Sequence, residues 1–82
     1  MNDPIDHFAY CIQLLGGLTA ASRRLGIDER AIRRFTNGER PISAGLLQDL
    51  AKTLHQLAAE ANTAAAEIAA ILSAEPAPPT AG

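Results

Sequence analysis

Apolar residues recur at helical spacing in four stretches of this chain, and glycine or proline separates one stretch from the next. The first runs through Ile5, Phe8, Ala9, Ile12 and Leu15, which predicts a helix burying one stripe. Asp3-Pro4 opens it: the aspartate can cap the free amides, and proline occupies the first helical position, where its missing N–H costs nothing. Gly16-Gly17 ends it and permits a sharp turn. A second, shorter helix is expected from Ala20 with Thr19 as its N-cap, turning Ala21, Ser22 and Leu25 inward. Gly26 stops that helix by taking the left-handed conformation, Ile27 anchors the turn, and Asp28 caps a third helix whose Ile32 and Phe35 share one face. Asn37-Gly38 closes the third helix.

The fourth stretch is the longest. After a short loop at Glu39-Arg40-Pro41-Ile42, Ser43 is a suitable cap, and Leu47, Leu50, Leu54, Leu57, Ala61, Ala64, Ile68 and Ile71 follow at alternating steps of three and four. That alternation is the seam of a coiled coil, or of a long helix buried along one edge. Its first half suffices to pack on the three preceding helices, whereas Ala61 to Ile71 continues past any minimal domain. Asn62-Thr63 has low helix propensity and could divide a fourth helix from a fifth, but neither glycine nor proline interrupts residues 46 to 75, so a continuous or gently bent helix is expected. The final residues, EPAPPTAG from Glu75 to Gly82, are expected to form an extended, disordered tail, because Pro76 cannot continue a helix and nothing after it can be buried.

Composition narrows the classes. With 82 residues the chain is one small domain near the lower limit for a self-sufficient core, so burial against a partner would matter. One cysteine excludes an internal disulfide and any cysteine-based zinc framework. No stretch has the length of a membrane span, and the first residues are acidic, so neither membrane insertion nor a secretory signal is expected. The overall charge of -2 conceals an asymmetry. Arg23, Arg24, Arg30, Arg33, Arg34 and Arg40 are six of the seven basic residues and meet only Asp28, Glu29 and Glu39 in their stretch, while the remainder sets Lys52 against six acids. A basic face on an acidic body suits a module that turns one side to phosphates.

The stretch from Leu18 to Gly38, LTAASRRLGIDERAIRRFTNG, resembles the Cro/CI-type, lambda-repressor-like helix-turn-helix family of phage and bacterial repressors. The likeness spans roughly residues 5 to 57. Ser22 stands at the family's small position four before the turn glycine, Leu25 and Ile27 flank Gly26, Ile32 and Phe35 fall six and nine after it, and Gly38 and Pro41-Ile42-Ser43 lead into another helix. Ser22 replaces the usual alanine, and Leu18 or Thr19 stands where many members carry a phosphate-binding glutamine. The resemblance implies an all-α fold, a compact four- to five-helix helix-turn-helix domain with a long C-terminal helix; the domain is expected over residues 1–74, in which the seam beyond the likeness makes residues 58–74 the expected dimerisation extension. It also implies a sequence-specific DNA-binding transcriptional regulator, a homodimeric repressor on a palindromic double-stranded DNA operator, in the cytoplasm with the nucleoid.

With Ile32 and Phe35 turned to the core, Glu29, Arg30, Arg33 and Arg34 remain on the outer face of the third helix, at the positions that reach base edges in the family. Arginine can bond O6 and N7 of guanine together, and glutamate can accept from the cytosine amino group. The alternative for this face is a solvated surface of helix-stabilising charge pairs. Thr19, Asn37, Arg40 and Ser43, at the ends of flanking elements, are expected to grip phosphate. Ala61, Ala64, Ile68 and Ile71 are the expected dimer interface.

No arrangement suited to catalysis is visible, so the chain is not expected to be an enzyme. His7 and Cys11 are four apart, but no third or fourth ligand lies within reach, and a partly exposed histidine beside a packed thiol is the simpler reading. His55 has no nucleophile at a recognisable spacing, and Gly16-Gly17 lacks the lysine and preceding strand of a phosphate loop. Neither a cofactor nor a metal nor a small-molecule ligand is expected. The second functional reading is a protein-interaction adaptor, antiactivator or antitoxin-like, using the Ala61 to Ile71 stripe to capture another protein.

Overall fold

The computed structural model describes residues 3–74, all of whose regular structure is helical: α1 (Pro4–Leu14), α2 (Leu18–Leu25), α3 (Glu29–Thr36) and α4 (Ala44–Ala74). The tail expected from Glu75 to Gly82 lies outside the described residues. Helix α1 begins as its sequence dictates, with the Ile5 amide donating to the Asp3 carboxylate at 2.9 Å and Pro4 in the first turn. Phe8, Cys11 and Ile12 are buried along it, with Leu15 just beyond its end.

The entry to α2 differs from expectation. The helix starts at Leu18, not Ala20, and its cap is Gly17, not Thr19. Gly17 has φ +98° and ψ -176°, a backbone open to glycine, and its carbonyl accepts the Ala21 amide at 2.9 Å. The chain thus turns directly from α1 into α2 and leaves no extended residue from which Thr19 could cap. Thr19 is an exposed residue of the first turn instead.

Helices α1, α2 and α3 pack on one another, and α2 also lies against α4. Phe8, Ala21 and Ile32 have no solvent exposure and form the centre, joined by Cys11, Ile12, Leu15, Leu46 and Leu50. Phe8 and Phe35 meet with ring centroids 5.8 Å apart and planes tilted by 56°, within the contact range of aromatic pairs.

Helix α4 is continuous for 31 residues, roughly 46 Å, so no fifth helix occurs among the described residues. Asn62 and Thr63 each cost only a few tenths of a kcal/mol, and the alanines around them favour the helix enough to carry it through. Ser43 caps its start, accepting the Leu46 amide on its hydroxyl at 3.1 Å. The seam is shifted from the one the spacing suggests. Leu46, Leu50 and Thr53 are buried and Leu54 and Leu57 half-buried, whereas Leu47 is 43% exposed. At ~100° per residue Leu46, Leu50, Thr53 and Leu57 fall within roughly 60° of one another, and Leu47 stands roughly 90° from their centre. Thr53 is tolerated inside because its hydroxyl donates to the Asp49 carbonyl at 2.8 Å. No described helix is long and apolar enough to cross a membrane.

Candidate nucleic-acid interface

The turn between α2 and α3 is held by Ser22 and Gly26. The Ser22 hydroxyl donates to the Ile27 carbonyl at 2.6 Å, while the Ser22 carbonyl accepts the Gly26 and Ile27 amides at 2.9 and 3.2 Å. A serine where alanine is usual therefore adds a clasp across the turn and stays small enough for the two helices to approach. Gly26 has φ +69° and ψ +31°, and a Cβ there would meet no atom within 4 Å. The requirement for glycine is conformational, not steric.

Helix α3 is short and defined at both ends. Asp28 accepts the Arg30 amide at 3.3 Å, and Glu29 adds negative charge at the helix N-terminus. At the far end the Gly38 amide reaches the Phe35 carbonyl at 3.2 Å and the Glu39 amide reaches the Arg34 carbonyl at 2.8 Å, the paired bonds of a Schellman exit. Gly38 has φ +77° and sits where a Cβ would press on Ile5 at 3.3 Å, so this exit also docks on the start of α1.

Between those ends the helix has two distinct sides. Ile32 is fully buried, and Ala31 and Phe35 are half-buried. Arg30, Arg33 and Arg34 are all exposed and project from the opposite side, spread over roughly 100° of arc. Glu29 lies at the edge and is half-buried. None of the three arginines has a carboxylate partner within salt-bridge distance among the described residues; Arg24 alone is paired, with Glu60 at 2.9 Å. Arg33 also borders a shallow groove of about 270 Å³ with Gln13, Leu18 and Thr36, between α3 and the junction of α1 and α2.

The other expected contact residues ring this helix unevenly. Thr19 is exposed on α2, and Asn37 is exposed at the end of α3, where its amide donates to the Glu39 carboxylate at 3.3 Å. The Arg40 guanidinium lies 5.5 Å from the Phe35 ring centroid, a cation–π contact that fixes it beside the α3 exit. Ser43 is exposed while capping α4. Two features were not legible in sequence: the Arg24–Glu60 pair, which joins residues far apart in the chain, and Gln13, whose place beside Arg33 depends on how α1 packs across α3. Ala61, Ala64, Ile68 and Ile71 are all exposed on the outer half of α4.

The other candidate chemistry is structural. Cys11 is a buried free thiol whose proton is held more tightly than usual because burial disfavours the thiolate, while His7 is exposed and faces the Tyr10 ring at 6.1 Å. No group of three or more metal-ligating side chains occurs among the described residues.

No curated protein and no solved structure matches the chain. The family model described as Helix-turn-helix (HTH_3) matches residues 13–55, a little over half of the sequence, from the end of α1 through the first turns of α4. The two short helices joined at Gly26 agree with this match, and the chain belongs to the Cro/CI-type helix-turn-helix family of DNA-binding regulatory domains.

Proposed function

We propose that the protein is a homodimeric, sequence-specific transcriptional repressor that places α3 in the major groove of a palindromic operator. The observation that carries this reading is the outward trio Arg30, Arg33 and Arg34, free of carboxylate partners, on a helix whose other side is anchored by the fully buried Ile32. Such a helix is rigid, presents its guanidinium forks together, and has no closer anion to satisfy them. Arg30 and Arg33 read guanine edges, Glu29 and Arg34 contact the neighbouring bases, and Thr19, Asn37, Arg40 and Ser43 hold the phosphates that set its depth. Arg40 suits that role because Phe35 already positions its guanidinium.

The dimer belongs to the same reading. One eight-residue helix offers too few contacts for tight binding, and two-fold symmetry doubles them. Ile68 and Ile71 are 58% and 59% exposed in the single chain, and covering them with a second copy contributes about 1 to 2 kcal/mol each, counted twice by symmetry.

A mobility shift titrated with salt tests the reading. Binding to palindromic DNA should weaken steeply as salt rises. Arg30→Ala and Arg33→Ala should each reduce preference for the selected sequence by about 1 to 3 kcal/mol with little change in melting temperature. Equal weakening on specific and random DNA would assign both side chains to phosphate. Absence of DNA binding at low salt would leave the adaptor reading, in which the exposed α4 stripe captures another protein.

A further inference from the structure

The apolar stripe of α4 does not change direction where the rest of the domain stops. At ~100° per residue, Ala64 and Ile68 project within roughly 40° of Leu46 and Leu50, which are buried in the core beside α2. A second α4 laid along the outer half of the stripe therefore lies in line with the protein's own body, and this decides which way it can run. In a parallel pair, residue 50 of each copy would stand level with residue 50 of the other, and both bodies would need the same space between the two helices. In an antiparallel pair with its two-fold axis near residue 66, Leu57, where the half-buried positions end, falls level with position 75 of the other chain, one beyond the last described residue, Ala74. The bodies then cap opposite ends of the stalk without overlap.

Side-chain size leads to the same arrangement. The stripe carries two alanines followed by two isoleucines. Parallel pairing would stack alanine on alanine and isoleucine on isoleucine, giving a contact narrow at one end and wide at the other. Antiparallel pairing sets Ala61 against the partner's Ile71 and Ala64 against the partner's Ile68, so every layer holds one small and one branched side chain and the helices keep an even separation. We propose that α4 forms an antiparallel two-helix stalk with a second copy, in alternating alanine–isoleucine layers over residues 61–71. The inference rests on the homodimer reading given above and adds its direction and register. The bodies are then centred on the order of 40 Å apart along the stalk, comparable with one turn of duplex. One feature opposes it: Glu67 falls beside the two-fold and faces its own copy.

Sedimentation equilibrium on the intact chain at tens of micromolar comes first, and a dimer is expected; a monomer would overturn both the stalk and the homodimer reading. Engineered cysteines then test direction, with the parent as blank because Cys11 is only 3% exposed. An equimolar mixture of Ala61→Cys and Ile71→Cys chains should form the mixed disulfide under mild oxidation, and Ala61→Cys alone should not cross-link to itself. A dimer in which Ala61→Cys alone cross-links efficiently would be parallel, refuting the proposed direction but leaving the homodimer. A dimer that cross-links in neither experiment would place its interface elsewhere. Glu67→Gln should tighten the antiparallel dimer roughly two- to fivefold by removing the repulsion at the axis; no tightening would contradict the register.

Discussion

The two halves of α4 have the same helical period and the same apolar direction, yet opposite fates. From Leu46 to Leu57 the stripe packs into the shared core, with α2 the helix laid against it; from Ala61 to Ala74 every residue is exposed, including Leu72 at 69%. The difference lies in what stands opposite each half. The inner half meets Phe8, Ala21, Ile32 and their neighbours, while Arg24 of α2 reaches out as far as Glu60 and no described side chain goes further in a salt bridge. Periodicity thus identifies a face that water disfavours, and only the length of the accompanying body decides whether that face closes the fold or remains available to another molecule.

Substitutions in the inner region should have the largest effects, independent of protein concentration. Ile32→Ala removes a fully buried side chain and should cost about 2 to 5 kcal/mol in chemical denaturation. Ile68→Ala, the same change on the outer half, should cost less than about 0.5 kcal/mol in dilute solution and more as concentration rises. Equal, concentration-independent losses at the two sites would erase the distinction between the halves.

Gly26→Val should come next. It forces a β-branched residue to φ +69° with no clash to relieve, at about 1 to 3 kcal/mol, and should lower the melting temperature of the inner region. A melting temperature within a degree or two of the parent would mean that the turn is not held in the left-handed conformation. Ser22→Ala restores the residue usual in the family but removes the 2.6 Å bond to the Ile27 carbonyl, for an expected loss of about 0.5 to 1.5 kcal/mol. A gain in stability would show that the hydroxyl is not a clasp. The smallest effect should be at the boundary between the halves. Arg24→Ala breaks an exposed ion pair and should change stability by less than about 1 kcal/mol, an effect that salt abolishes.

Much of the inner region was legible from local chemistry. Asp3, Asp28 and Ser43 cap the helices that their positions suggest, Gly26 takes the left-handed turn assigned to it, and Gly38 follows the end of the helix that Asn37-Gly38 is expected to close, because a cap or a tight exit is decided within about four residues. The errors arose where longer-range packing chose between local alternatives. Thr19 is as good a cap by composition as the others, but the turn from α1 through Gly17 starts the helix before reaching it. Leu46 and Leu47 are equivalent in sequence, and the position of the first three helices selects Leu46. Thr53 is a core position that its polar side chain does not signal, because its hydroxyl is satisfied within its own helix. On α3 the arginine side could be deduced from Ile32 and Phe35 alone, since a helix with one buried side has only one left to offer. Which arginines lack a carboxylate could not, because the Arg24–Glu60 pair depends on the direction in which α4 leaves the body.

In the proposed function the inner region reads DNA and the outer region doubles it. Selection of bound sequences from a random DNA pool, run in parallel on the intact chain and on the Ile68→Asp, Ile71→Asp double variant, tests both parts at once. The intact chain should enrich a two-fold symmetric site with two guanine-containing half-sites. The variant should retain the half-site preference, lose the symmetry and bind much more weakly. Enrichment of no sequence by the intact chain, or of the same symmetric site with equal affinity by the variant, would contradict it.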